Sequence, residues 1–437
     1  MDPLTIGYIC VALLFLLLAM GTPVAVAMGV IGVGGMYFSF GEAFAFGQLR
    51  TLPFSVTSNY AYAVLPLFVL MGVLAKVAGI TSELFHVADL WLRRLRGGLY
   101  LAVIFGSAAF AAVSGSTIVN AVVFTRIAFP EMLHFGYNRS LSIGCIAASG
   151  SFAAMIPPSL TMVIYAIVTE QSIGQLFIAG VIPGILTAVV YAIGVLMLVR
   201  FRPDLAPPVT ELPSMGEKLR ALRGVSGVIL LAVLVLGGIY TGFFPPSAAG
   251  AVGAFGAFAI CIWRFRGRFR GWLMPAVADA TAISCVIFTI LIGGLLFSRM
   301  LVATGLIDSF VTNITDVAGT PTGFLMLVAV MYILMGCFLD TTSMMIITLP
   351  FIFPAVVHFD INPIWFGIIL VKLIEISVIT PPIGLNLFAV MSATDRDTKF
   401  GHLIRGLTPF LVMELFVLAL LIAFPALATW LPQQMIG

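Results

Sequence analysis

Charge is what this chain has least of. Of its 437 residues, 9% are Asp, Glu, Lys or Arg, against about 25% in a soluble globular domain. So few charges cannot cover a water-facing surface, and a soluble class is excluded. The net charge of +3 is too small and too scattered to suggest nucleic acid. Five cysteines, Cys10, Cys145, Cys261, Cys285 and Cys337, lie far apart in apolar runs. Their odd number and spacing give no disulfide framework. The four histidines, His86, His134, His358 and His402, never fall within metal-ligand spacing of one another. HExxH, GxSxG and Walker A are all missing, as is any supported Ser-Lys or paired-Asp arrangement. An enzyme is therefore not expected, and any energy must come from a gradient or a partner. The first apolar run, Leu4 to Met20, lacks the basic flank and cleavage site of a signal peptide and is expected to be a retained helix.

What is abundant is apolar sequence: 61% of residues are hydrophobic, with a mean hydropathy of +1.17. Spanning a bilayer takes about 20 apolar residues. The pattern predicts helices near 4–20, 22–40, 59–78, 139–172 (broken), 174–200, 224–243, 245–263, 273–298, 361–393 (broken) and 407–431. Two further apolar stretches, 98–134 and 320–358, are interrupted by Ser114-Gly115-Ser116-Thr117 and Asp340-Thr341-Thr342-Ser343. Each of their halves is short for a crossing, so both are read as re-entrant helical hairpins with the polar cluster at the tip. Residues 81–96 form an amphipathic helix with Leu84, Ala88, Trp91, Leu92 and Leu95 on one face, and 307–317 its shorter counterpart with Phe310, Ile314 and Val317. The linker 202–222 is polar and proline-rich.

One signature occurs twice. Ser116, Thr117, Phe129, Pro130, Pro157 and Pro158 recur 224 residues later as Asp340, Thr341, Phe353, Pro354, Pro381 and Pro382. Lipid offers no partner to a broken backbone, so such breaks survive only where they are buried or line a cavity. Matched breaks in both halves mark a secondary transporter with its site at the repeat interface. The first repeat is placed at 1–201, the linker at 202–222 and the second repeat at 223–437. Basic residues cluster at Arg93, Arg94 and Arg96, at Arg200, Arg202, Lys218, Arg220 and Arg223, at Arg264, Arg266, Arg268 and Arg270, and at Arg396, Lys399 and Arg405. If hairpins cross nothing and broken helices cross once, all four clusters fall on the cytoplasmic side. The expected fold is thus an all-α polytopic membrane protein built as an inverted repeat. The first hairpin enters from the cytoplasm, the second from outside, and both termini lie outside.

Four stretches carry a family resemblance: LPLFVLMGVLAKVAGI (65–80), AAFAAVSGSTIVNAVV (108–123), the segment 129–186 containing IPPS and LFIAGVIPG, and the segment 338–390 containing TPPIGLNLF. Together they resemble the large membrane subunit of tripartite ATP-independent periplasmic (TRAP) transporters, over nearly the whole chain outside the linker. Ser149-Gly150-Ser151-Phe152-Ala153-Ala154 departs from the Gly-rich turn usual before IPPS. The resemblance implies a sodium-driven, elevator-type importer of organic anions, carboxylates or acidic sugars, in a bacterial inner membrane. It implies two partners, a small four-helix membrane subunit and a periplasmic substrate-binding protein. A stand-alone sodium–carboxylate symporter of similar hairpin architecture is the alternative. An ion channel is disfavoured by the duplicated breaks.

Sodium takes hard oxygen ligands, and each tip with its facing break offers hydroxyls and freed carbonyls. The first sodium site would draw on Ser114, Gly115, Ser116, Ser149, Gly150 and Ile156, and the second on Asp340, Thr341, Thr342, Ile379, Thr380 and Gly384. The half-helices after each break present free N–H groups and a positive dipole end, which suit a carboxylate. Ser116, Thr117, Asn120, Pro158, Ser159, Asp340, Thr341 and Asn386 are the candidate substrate contacts. Asp340 is costly inside an apolar hairpin and points to function, yet Asp is also a favoured N-cap. Lys372 and Glu375, three apart, are read as a structural pair. Arg126 either faces the pathway or snorkels to the cytoplasm.

Overall fold

The computed structural model describes residues 2–208, 213–266, 269–336, 339–381 and 384–434, and among these every regular element is helical. Cys337, Pro382 and Arg268, the side chain of Arg270 and part of the linker lie outside the described residues. The first half runs α1 (Pro3–Ala19), α2 (Val24–Phe40), α3 (Glu42–Ser58), α4 (Val64–Val77), α5 (Ile80–Leu92), α6 (Gly98–Ser114), α7 (Thr117–His134), α8 (Arg139–Gly150), α9 (Phe152–Met155), α10 (Leu160–Thr169) and α11 (Ile173–Phe201). The second runs α12 (Met215–Tyr240), α13 (Pro246–Phe265), α14 (Phe269–Ala303), α15 (Leu306–Ala318), α16 (Pro321–Met335), α17 (Thr341–His358), α18 (Pro363–Val378), α19 (Leu385–Ser392), α20 (Phe400–Ala423) and α21 (Ala426–Gln433). Among the described residues eight helices are long and apolar enough to cross a membrane, or nine if α15 and α16, bent by 111°, count as one.

Local chemistry sets the same boundaries in both halves. Asn138 and Asn362 cap α8 and α18, each side-chain oxygen accepting from helical amides, as short polar side chains do at an N-cap. Ser116 and Asp340 cap α7 and α17, helices of 18 residues each. Both pairs of caps are 224 residues apart. The broken helices are sheltered: α8 is buried at every position from Leu141 to Gly150 and α18 from Phe366 to Val378. By contrast α12 buries five of its 26 residues. Backbone left open at a break is thus kept from lipid by the helices around it. α8 lies directly on α20, because a Cβ at Gly144 would come within 2.2 Å of the Gly406 carbonyl carbon. Small residues permit this approach, which in a membrane supplies packing that water would otherwise drive.

Three features differ from the sequence pattern. α3 was not expected: Glu42, Gln48, Arg50 and Pro53 interrupt its hydropathy, although helix continues through Pro53. On α5 the buried face is Ile80, Thr81, Leu84, Phe85 and Asp89, while Trp91, and Leu95 beyond the end of the helix, are exposed. Asp89 turns inward because Arg93 pairs with it one turn on. The predicted 407–431 helix begins at Phe400 and divides into α20 and α21 around Phe424 and Pro425.

Direct contacts gather the basic clusters at one end. Arg96 donates to the Pro203 and Ala206 carbonyls at 2.7 and 3.1 Å. Arg264 pairs with Glu83 of α5 at 2.7 Å. The Asn138 amide donates to the Leu205 carbonyl at 3.1 Å, and its neighbour Arg139 pairs with Asp395 at 2.7 Å, beside Arg396. Thr398 and Arg139 both hydrogen-bond the Asp395 carboxylate and hold it below its ordinary pKa.

Candidate functional site

The first tip is two residues long. α6 ends at Ser114 and α7 begins at Thr117, leaving Gly115 and Ser116 in the turn. Gly115 has φ of 60°, and a Cβ there would lie 3.1 Å from the Pro158 carbonyl oxygen. Glycine answers both the left-handed backbone and the close approach. The tip therefore rests on the first break, at Pro157-Pro158. Ser116 accepts from the Val119 amide at 3.5 Å. Gly150, at the end of α8, abuts Ala121 of α7, where an added Cβ would stand 2.5 Å from the Ala121 Cβ. Ile156 is extended and ends α9 just before Pro157.

Among the described residues, two hydroxyls here lack a hydrogen bond of normal geometry, although Ser149 stands beside the Cys145 thiol. Ser114 Oγ on the tip and Ser149 Oγ near the end of α8 are buried and unbonded. An unmatched buried polar group costs about 1–3 kcal/mol, so these oxygens fit a role as cation ligands. The chemistry of the donors, neutral hard oxygens with adjacent backbone carbonyls, suits an alkali cation. Ser159 is differently placed. It caps α10, accepting from the Met162 amide at 3.4 Å, and its proton goes to the Ala154 carbonyl. It can face a substrate only as an acceptor.

The second tip is built on charge. Asp340 Oδ2 accepts from the Thr342 and Ser343 amides at 3.0 and 3.2 Å, and Oδ1 accepts from the Ser343 hydroxyl. The capping role is therefore real, and the half-buried carboxylate has acceptor capacity left for a cation. Thr341 and Thr342, expected in the interruption, form the first turn of α17 instead. Gly336, just past the end of α16, lies on Ser377, whose Cβ would be 2.2 Å from an added Cβ. This brings the second hairpin to the second break. There Ile379 ends α18, Thr380 Oγ1 donates to the Ile376 carbonyl at 2.6 Å, and Gly384, with φ of 37°, leads into α19.

The halves meet between these tips. Thr117 Oγ1, in the first turn of α7, donates to Asn386 Oδ1 in the first turn of α19 at 3.3 Å. Among the described residues Asn386 Nδ2 is buried without a partner. Asn120 donates to the Ser107 carbonyl at 3.2 Å, and its Oδ1 is likewise buried and unbonded. One spare amide donor and one spare carbonyl acceptor thus lie on the two helices that start at the first tip and after the second break. Arg126 is exposed on α7.

Lys372 and Glu375 are paired at 2.9 Å and wholly buried. The pair is part of a larger cluster that the sequence reading missed. Lys372 also pairs with Glu414 of α20 and donates to Thr187 Oγ1 of α11 at 2.9 Å. Tyr191 of α11 donates to Glu414. The legible signal was Glu414 itself, a lone acid in an apolar run, which is a costly placement without a partner. The cluster ties the helix before the second break to α11 and α20.

The family described as "Tripartite ATP-independent periplasmic transporter, DctM component" matches residues 11–427. The C4-dicarboxylate TRAP transporter large permease protein DctM of Pseudomonas aeruginosa is 31% identical over 380 residues, covering 87% of this chain and 88% of that protein. The ectoine TRAP transporter large permease protein TeaC of Halomonas elongata is 28% identical, covering 97% of this chain and 98% of that one. In fold, the chain is similar to the YdaH transporter of Alcanivorax borkumensis, with a TM-score of 0.64 at 15% identity over 96% of this chain and 98% of that one. The chain belongs to the DctM component family of TRAP transporters, and is a multi-pass membrane transport protein rather than an enzyme.

Proposed function

We propose that this chain is the sodium-coupled large subunit of a TRAP system importing an organic anion, a carboxylate or an acidic sugar, across a bacterial inner membrane. The observation that carries this reading is the Thr117–Asn386 contact, where the first hairpin meets the helix after the second break. The first tip packs on its own break and the second hairpin on α18 just before the second break, so two ion sites would flank one central substrate site. The unbonded Ser114 and Ser149 hydroxyls support the first sodium site, and Asp340 supplies charge to the second. The free amide ends of α10 and α19, with Asn120 and Asn386, would take the anion's oxygens.

Coupling follows from electrostatics. An anion entering beside Asp340 is repelled until sodium is bound there, because unit charges interact strongly where the dielectric is low. Sodium at the second tip therefore precedes the substrate. The recurrence of caps and breaks supports two repeats of opposite orientation, with the basic end facing the cytoplasm and an elevator motion of the hairpins and broken helices against the remaining helices. The small four-helix subunit and the periplasmic binding protein complete the system.

The test is uptake into proteoliposomes containing both membrane subunits. The expected result is uptake that needs an inward sodium gradient and the binding protein but no ATP. Uptake without the binding protein would instead make the chain a stand-alone symporter, and uptake indifferent to sodium would remove the ion sites.

A further inference from the structure

We propose that the groove between α12 and α13, beside the start of α5, binds the phosphate headgroup of an anionic phospholipid. The groove encloses about 580 Å³ and is lined by Arg223, Arg264 and Arg266 with a single acid, Glu83. Arg264 is taken up by Glu83 at 2.7 Å. Among the described residues no ion pair or hydrogen bond engages the guanidinium of Arg223 or Arg266, the Ser226 hydroxyl reaching only the Arg223 backbone carbonyl. Two guanidinium groups are therefore left facing one cavity, and planar forks of this kind match phosphate oxygens.

The rest of the wall selects a lipid over a free ion. Gly224 and Gly227 line the α12 side of the groove, and Glu83 and the apolar Ile260 come to 3.3 and 3.1 Å from where their Cβ atoms would stand. Leu230 and Leu234 follow Gly227 at helical spacing and are 64% and 39% exposed, a track for an acyl chain. Trp263 at the groove is 82% exposed, and indoles favour the headgroup level of a bilayer. The groove also lies at the end where the basic clusters gather, and basic pockets between helix ends hold anionic headgroups. A dissolved phosphate would leave the apolar half of this wall unused.

The test uses the full chain in nanodiscs of phosphatidylcholine with and without phosphatidylglycerol. Bound lipid is read by native mass spectrometry and stability by thermal unfolding. Phosphatidylglycerol is expected to be retained and to raise the unfolding midpoint. Arg223→Gln and Arg266→Gln should each weaken its retention about fivefold, and both together about 25-fold, while Arg220→Gln leaves it unchanged. Each single variant alters an exposed, unpaired side chain, so the result stands even if the double variant fails to fold. Equal retention of phosphatidylcholine, unchanged retention in both single variants, or displacement of phosphatidylglycerol by inorganic phosphate would overturn the proposal.

Discussion

The two hairpins share a capping plan and differ in chemistry. The residue before α7 and the residue before α17 each cap an 18-residue helix; Gly115 of the first tip lies on Pro158, and Gly336 of the second hairpin lies on Ser377 near the end of α18. At the first tip the cap is Ser116, and nearby hydroxyls lie buried and unbonded. At the second the cap is Asp340, with three donors on its carboxylate. The contrast extends down the broken helices. Lys372 and Glu375 of α18 stand where the first half has Ala148 and Ser151. The caps of the two halves match while the buried charge lies on one of the two broken helices, so the two proposed ion sites should differ in affinity and in their response to mutation.

The largest expected effect is at the charged cluster. Lys372→Met leaves Glu375 and Glu414 buried without their cation and should lower stability by about 3–5 kcal/mol, read as loss of folded protein. Ser151→Ala, at the position matching Glu375, removes one hydrogen bond to the Ala148 carbonyl and should cost about 1 kcal/mol. Equal losses would erase the contrast. Next comes sodium affinity. Asp340→Asn keeps the cap and removes the charge, so half-maximal uptake should need about tenfold more sodium. Ser116→Ala should shift it about threefold or less, the loss being mainly a cap worth about 0.5–2 kcal/mol. Wild-type sodium affinity in folded Asp340→Asn would reduce Asp340 to a helix cap.

A finer effect separates ligands from caps. Ser114→Ala and Ser149→Ala each remove an unbonded buried hydroxyl, so stability without sodium should hold or rise by about 1 kcal/mol, while the stabilisation given by sodium shrinks. A loss of stability in sodium-free buffer would mean that these hydroxyls have another structural role. The smallest effect is at Asp395. Its folded pKa is depressed by Thr398 and Arg139, so its contribution is present above the unfolded carboxylate value of about 3.9 and is lost as pH falls through the lower folded value. The side chain is 41% exposed, so screening keeps the effect small. Thermal scans of Asp395→Asn should show slightly less stability than wild type at neutral pH and no difference in strong acid.

Much of the fold could be read from the sequence because the breaks carry sharp local chemistry. Ser116, Asp340, Asn138 and Asn362 carry short polar side chains favoured at an N-cap, and Pro157 and Pro381 cannot continue a helix. The tips and breaks were therefore placed within a few residues. α3 escaped because Glu42, Arg50 and Pro53 disturb a hydropathy window without breaking the helix, and Asp89 because its partner is one turn away. In the site, residue types identified the donors, but pairings 269 residues apart, such as Thr117 with Asn386, depend on packing that no local pattern records. Glu414 was overlooked for the same reason, since its meaning lies in Lys372 on another helix.

The proposed mechanism needs two tips that approach one centre from opposite sides of the membrane. Thr117→Cys and Thr342→Cys, each in a background with the five native cysteines replaced, can be probed with membrane-impermeant thiol reagents from either side, with and without sodium. The first tip should be reached only from the cytoplasm and the second only from outside, each with sodium-dependent protection. Labelling of both tips from the same side in every condition would contradict it.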